Sequence, residues 1–187
     1  MNWRITKYIN STTICIAIAQ PGSIGEYMRK VLGALAEWLW QLPQHLLGLL
    51  LILVTRAQYH HTITWKDTSV RIYRVGNVRW GISLGKYVIL GSGYGKVTER
   101  HELGHSVWSL KLGPIYLPVI GILSAIVANL IGSRLLKRDY KWYYTQWVEA
   151  VADREGGVFW HNGRRMISMC TSEGTCFSAI ADDWERA

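Results

Sequence analysis

The sequence predicts an α+β fold, and three observations predict it. Residues 60–90 alternate with period two, as half-buried strands do. A stretch from about Val97 to Leu110 has helical spacing and contains His101-Glu-Leu-Gly-His105. A second helical stretch, from about Tyr140 to Glu155, stops at Gly156-Gly157. The expected core is a small antiparallel sheet packed with these two helices. Two apolar segments, 31–54 and 114–136, add helices suited to associate with a membrane.

Composition sets the class. The 187 residues suffice for one domain with a real core. They are 49% hydrophobic and only 18% charged, apolar for a soluble domain. Ten Trp and ten Tyr stand against two Phe, a balance that suits a membrane–water boundary. The net charge of +8 draws the chain to anionic lipid or nucleic acid. It has no recognisable nucleic-acid module, so lipid is the expected partner. Cys15, Cys170 and Cys176 lack the paired spacing of a zinc finger. A Cys170–Cys176 bridge would need an oxidising compartment; free thiols are the default.

The chain in order gives these expectations. Residues 1–27 form a peripheral N-terminal extension with a modest apolar run, Ile14 to Ala19, too short for a signal core. Met28-Arg29-Lys30 reads as a natural start, and 28–187 as a single domain. Segment 31–54 has the length of a span but is interrupted by Glu37 and by Gln41-Leu-Pro-Gln-His45. It is a kinked membrane helix, a pair of interfacial helices with Trp38 and Trp40 at headgroup depth, or a buried helix. His45 reads as a polar break. The strands are Thr62–Lys66, Ser69–Val75, Val78–Leu84 and Lys86–Leu90, with Lys66, Arg71 and Arg79 outward and His60-His61 in a loop. Gly91 to Thr98 is a flexible turn; its glycine spacing and Lys96-Val97 do not fit a phosphate loop.

Segment 114–136 carries no charge before Arg134. A straight crossing there would place candidate ligands on opposite sides of a bilayer. The expectation is therefore two apolar pieces in a membrane-facing hairpin, bent at Pro118, Gly121 or Gly132. Lys137, Arg138 and Lys141 with Tyr140, Trp142, Tyr143 and Tyr144 would form a basic-aromatic collar. Residues 158–187 read as a short tail.

The chemistry centres on His101 and His105. Four residues apart on a helix, they share a face and aim two imidazoles at one point, as a zinc site needs. Glu102 is placed to act as general base. A catalytic zinc keeps three protein ligands and one open position, and Glu149 is the candidate third ligand. Asp153, one turn on, faces the same way and is placed to accept from the second nitrogen of a ligating histidine. Gly104 lets another element come close, while Leu103 and Val107 are core. Candidate oxyanion donors are His161, Arg154 and Tyr144, and the edge of residues 81–90 offers strand addition to an extended substrate.

A resemblance adds to this reading. Trp40-Gln-Leu-Pro-Gln44 with Leu47-Gly-Leu-Leu50, Gly81-Ile-Ser-Leu-Gly85, Ile89-Leu-Gly91, the His101–His105 motif, Ser109 to Leu117 with Val119-Ile-Gly121, and Glu149 with Ala152-Asp-Arg154 and Gly156-Gly157 follow one another in order. In these stretches the chain resembles a family of small bacterial zinc metallopeptidases, over about residues 28–160. It is also similar to the gluzincins, whose third ligand is a helix Glu with an Asp four residues on. Leu103 and Leu123 depart from the Tyr and Pro common at those places. The resemblance implies zinc held by His101, His105 and Glu149 with Glu102 as base, and says little about substrate; the expected whole is a zincin-like, membrane-associated metallopeptidase at the bacterial inner membrane with a peptide or protein substrate. The other readings are a membrane-surface module with structural zinc or none, and a metal-dependent ester or lipid hydrolase.

Overall fold

Four strands form the sheet that carries the site. They are β3 (Gln58–Trp65), β4 (Thr68–Val75), β5 (Gly81–Leu84) and β6 (Tyr87–Gly91), in the spatial order β3-β4-β6-β5. The computed structural model describes residues 5–10, 13–18, 24–66, 68–76, 78, 80–124, 126, 137, 140–162, 164–170 and 176–180. The sheet is mixed, not antiparallel as expected. β3 pairs antiparallel with β4 and β5 with β6, but β4 runs parallel to β6. The reason is placement: the β5–β6 hairpin folds so that β6 lies beside β4 and β5 takes the edge. All five residues of β6 are buried, as a central strand requires. The strand edge once assigned to residues 81–90 as a whole therefore belongs to β5 alone. His60 and His61 lie in β3, not in a loop, with their Nδ1 atoms 2.6 Å apart. Lys66 and Arg71 are exposed as expected, and Arg79 lies outside the described residues.

Residues 158–180 also differ from expectation. They form an antiparallel three-stranded sheet, β7 (Val158–His161), β8 (Arg164–Cys170) and β9 (Cys176–Ile180), in place of a tail. The signal was Asn162-Gly163, the commonest two-residue hairpin turn, and Asn162 adopts the positive φ of 49° that such a turn needs. Cys170 and Cys176 face each other in the β8–β9 register.

The chain divides into two units, Met1–Glu37 and Trp38–Ala187. The first holds an antiparallel pair, β1 (Ile5–Asn10) and β2 (Thr13–Ile18), and most of α1 (Ile24–Trp40). The second holds the remainder. Segment 31–54 breaks at Gln41, with Pro43 in the first turn of α2 (Leu42–Thr55), where its missing N–H costs nothing. Among the described residues no single helix is long and apolar enough to cross a membrane; α1 and α2 taken together, with their break, pass that test.

Helix α3 (Lys96–Leu112) carries the histidine motif. The loop before it is pinned by Arg74, which donates to the carbonyls of Gly91 (3.1 Å) and Tyr94 (2.7 Å). Leu103 joins Val70, Ile72, Val88 and Leu90 in the core between sheet and helix. The Glu-bearing stretch is two helices, α4 (Tyr140–Thr145) and α5 (Trp147–Gly156), because Gln146 is extended (ψ 142°). Gly157 ends α5 in the left-handed region (φ 72°).

α3 and α5 cross at near-backbone contact. A Cβ on Gly104 would fall on the carbonyl oxygen of Ala152, and one on Gly156 on the carbonyl of Arg100. This close crossing is what brings Glu149 and Asp153 to the histidines. Exchanging Gly104 for Ala gains about 1 kcal/mol of helix propensity. The clash is with backbone, which cannot swing aside, and overpacking costs about 1–3 kcal/mol or more. Gly104→Ala is therefore expected to lower the thermal midpoint; a raised midpoint in a melting experiment would show that the helices are not held this close.

Candidate metal centre

His101 and His105 leave the same face of α3, and Glu149 leaves the first turn of α5 toward them. All three are buried, and one ligand atom from each lies within 4.8 Å of the others. The Nε2 of His101 is 3.0 Å, and that of His105 3.5 Å, from Oε2 of Glu149. Ligands about 2.0–2.1 Å from a tetrahedral ion lie about 3.3 Å from one another, so these separations fit one ion shared by the three. The group could hold a metal ion.

The tautomer of His101 is set from behind. Its Nδ1–H donates to Oδ1 of Asp153 at 2.7 Å, because an ionised carboxylate can only accept. That leaves the Nε2 lone pair for a metal, the arrangement that orients a ligating imidazole and raises its basicity. Asp153 is in turn held by Arg165, whose Nη2 donates to Oδ1 at 2.5 Å and Nε to Oδ2 at 3.3 Å. Arg165 has no solvent exposure. Its guanidinium lies 3.5 Å over the Tyr144 ring, which meets His101 edge-on with centroids 5.2 Å apart. The sequence reading missed Arg165, since it sits in β8 where a tail was expected.

Residues of several elements complete the cavity. Its volume is about 260 Å³, and besides the ligands and Glu102 it is lined by Trp80, residues 81–84, Tyr116, Leu117, Ile120, Gly121, Ser124 and Tyr143. Ser124 donates to Oε1 of Glu149 at 2.5 Å, so the second apolar segment reaches the third candidate ligand. That segment begins as a 3₁₀ turn (Gly113–Ile115) and continues as a π-helical stretch (Leu117–Gly121), with Tyr116 and Ile120 packed on Val148 of α5. Of the expected bend points, Pro118 and Gly121 lie within this π-helical stretch, and Gly132 lies outside the described residues. Tyr143 lines the cavity and Tyr144 lies on His101, so neither forms a surface collar; Lys137 and Lys141 are exposed, and Arg138 is outside the described residues. None of the oxyanion candidates lines the cavity: His161 and Arg154 are exposed, and Tyr144 lies edge-on to His101 under the Arg165 guanidinium. The hydroxyl-bearing residues that do line it are Ser83, Tyr116, Ser124 and Tyr143.

Glu102 and the edge strand meet in the cavity. Oε1 of Glu102 is 2.8 Å from where a Cβ on Gly81 would stand. The Gly91 N–H donates to the Trp80 carbonyl. By the alternation of an antiparallel ladder, Ile82 then bonds inward to β6, while Gly81 and Ser83 turn their backbone groups to the outer edge, where the Ser83 carbonyl accepts from the Tyr116 hydroxyl at 3.5 Å. His45, expected as a polar break, is fully buried; its Nδ1 lies 3.1 Å from the Trp38 carbonyl, and it lines no part of the cavity.

Burial and charge tune these groups. Burial raises the Glu102 pKa above that of an ordinary carboxyl. Burial would also raise Glu149, but hydrogen bonds from His101 and His105 hold it well below its usual value. Asp153 is lowered, against its burial, by His101 and Arg165. Burial alone would lower His101; the hydrogen bonds to Asp153 and Glu149 overcome it and raise its pKa to about 9.

The sign of the pH dependence follows. Without metal, the raised His101 contributes stability that is full below its unfolded value of 6.5 and lost as pH climbs through about 9. The depressed Glu149 contributes stability that is present above its unfolded value of 4.5 and lost as pH falls through its lower folded value. A ligating imidazole is neutral, so metal should abolish the alkaline loss. Thermal unfolding of chelator-treated protein is expected to weaken from pH 6.5 to 9, and the metal-loaded protein to stay level. A flat profile without metal would contradict this charge arrangement.

Comparison with known proteins finds no match: no family model, no curated protein and no solved structure matches this chain.

Proposed function

We propose that the chain is a membrane-associated, zinc-dependent metallopeptidase with a zincin-like, gluzincin-type site. The observation that carries this reading is the position of Glu102. A structural metal site has no use for a further buried carboxylate. Here one lines the same cavity as the candidate ligands, beside the free edge of β5. His101, His105 and Glu149 supply the two nitrogens and one oxygen that suit catalytic zinc and leave a fourth position open. Bound there, zinc would supply Lewis acidity and a lowered water pKa of about 7.

The chain's own residues account for the rest. The outward backbone groups of Gly81 and the N–H of Ser83 would hold an extended peptide by strand addition. Glu102, its pKa raised by burial, is suited to take a proton from the attacking water and deliver it to the leaving amine. Tyr143 lines the cavity and is the candidate hydroxyl donor to the developing oxyanion, while the Tyr116 hydroxyl donates to the Ser83 carbonyl. Asp153 and Arg165 hold His101 in its ligating tautomer.

Glu102→Gln separates catalysis from mere binding. It is expected to keep zinc content and fold while cutting peptide hydrolysis by about 10²–10⁴-fold, the usual contribution of a general base. Measured zinc and turnover on a peptide library decide it. Wild-type zinc without hydrolysis of any peptide, but with hydrolysis of lipid esters, would move the reading to an esterase; unchanged hydrolysis in the variant would remove Glu102 from the chemistry.

A further inference from the structure

The wall of the cavity has two sides of opposite character. Tyr116, Ile120 and Ser124 turn inward, to the cavity, the α5 core and Glu149. On the same stretch Ile115 (57%), Ile122 (51%) and Ile126 (45%) are exposed. A single helical thickness therefore separates the reaction cavity from an apolar outer surface.

α2 has the same inverted build. It buries Gln44, His45 and Gly48 and exposes Leu50 (56%), Leu53 (76%) and Val54 (70%). Its polar end bonds inward to the C-terminal end of α3. Ser109 donates to Gln41 at 3.0 Å, and Gln44 donates to the Gly113 carbonyl. A surface helix in water carries the opposite pattern. With 14 residues α2 is about 21 Å long, short of a bilayer core of about 30 Å. Its outward side therefore suits burial along a bilayer surface rather than a crossing. The net charge of +8 complements anionic headgroups, which favours an anionic lipid surface as the occupant of this face.

The cavity itself selects an uncharged chain segment. Among the described residues its lining includes no Lys or Arg to receive a C-terminal carboxylate. Its carboxylates are Glu102 and Glu149, both assigned to the reaction, so none is left over for an N-terminal amine. Trp80, Ile82, Leu117 and Ile120 supply apolar walls.

We infer that the outward sides of α2 and of residues 115–126 seat in the acyl layer of an anionic bilayer, and that the substrate is an apolar, extended polypeptide segment held in that membrane and cut away from its ends. The inference rests on the metallopeptidase reading above. The wall that touches lipid is the wall that touches substrate and, through Ser124, the third candidate ligand.

The test uses the full zinc-loaded chain with vesicles of phosphatidylcholine and phosphatidylglycerol. One substrate is an apolar peptide of about 20 residues embedded in the vesicles, long enough to span them. The other is a water-soluble peptide with the same central sequence. Wild type is expected to float with the vesicles and to cut the embedded peptide several-fold faster, at internal bonds. Leu50→Glu with Leu53→Glu, remote from the cavity, is expected to lower vesicle partition on the order of a hundredfold. The double variant should lose the preference for embedded peptide while keeping zinc and soluble-peptide cleavage. Failure of wild type to float, or equal cleavage of both peptides, would overturn the substrate assignment and leave the metallopeptidase reading standing. A wild-type dimer abolished by the double variant would likewise overturn it, by assigning the apolar face to a second copy. Flotation without cleavage of either peptide would overturn both readings at once.

Discussion

The site depends on how closely α3 and α5 approach. Without a side chain at Gly104, the carbonyl of Ala152 sits where a Cβ would be, and Gly156 gives the same clearance over Arg100. The crossing sets Glu149 against both imidazoles and Asp153 behind His101. Burial then makes these carboxylate–imidazole contacts strong, because little water competes for them. A separate clamp at the other end of α5 supports the same crossing: Glu155 pairs with Lys66 (2.6 Å) and Lys111 (2.8 Å), and its carbonyl accepts from Trp65.

What was legible in the sequence is what local spacing controls. Residues four apart on one helix must share a face, so His101 with His105, and Glu149 with Asp153, could be read as two converging pairs. Gly104 could be read as a point of close approach, because a glycine inside a helix needs a reason. The α+β class followed from period two giving way to helical period. Pairing between distant strands is not local, and there the reading fell short. Nothing in Ser69 to Leu90 states that β6 lies between β4 and β5, so the sheet was expected antiparallel and is mixed. Arg165 was missed for a different reason: Asn162-Gly163 marked a hairpin, and the strand that carries Arg165 to Asp153 was in view but unread. Ser124 was hidden by its setting, since a serine inside an apolar run is ordinarily a packing residue.

The apolar segments look different once their inward contacts are known. Both turn polar or small residues inward: Gln41 and Gln44 to the end of α3 and Gly48 to Leu84 and Tyr87 from one, Ser124 to Glu149 from the other. Trp40 donates to the Leu110 carbonyl at 2.9 Å, and its ring lies against Gly113. It therefore docks the end of α1, just ahead of α2, to α3 as well as lying half open to solvent. Hydrophobic content alone does not distinguish a buried helix from a membrane-seated one; the side on which the polar residues lie does.

The central claim is that His101, His105 and Glu149 hold one catalytic zinc. Its most direct test is the zinc content of purified, folded protein beside that of His101→Ala and Glu149→Gln. The account predicts one zinc per chain in wild type, lost or much weakened in both variants, since removing one of three ligands cripples the site. Zinc unaffected by Glu149→Gln would contradict the ligand set, and no zinc in a folded wild-type chain prepared without chelator would contradict the metal centre itself.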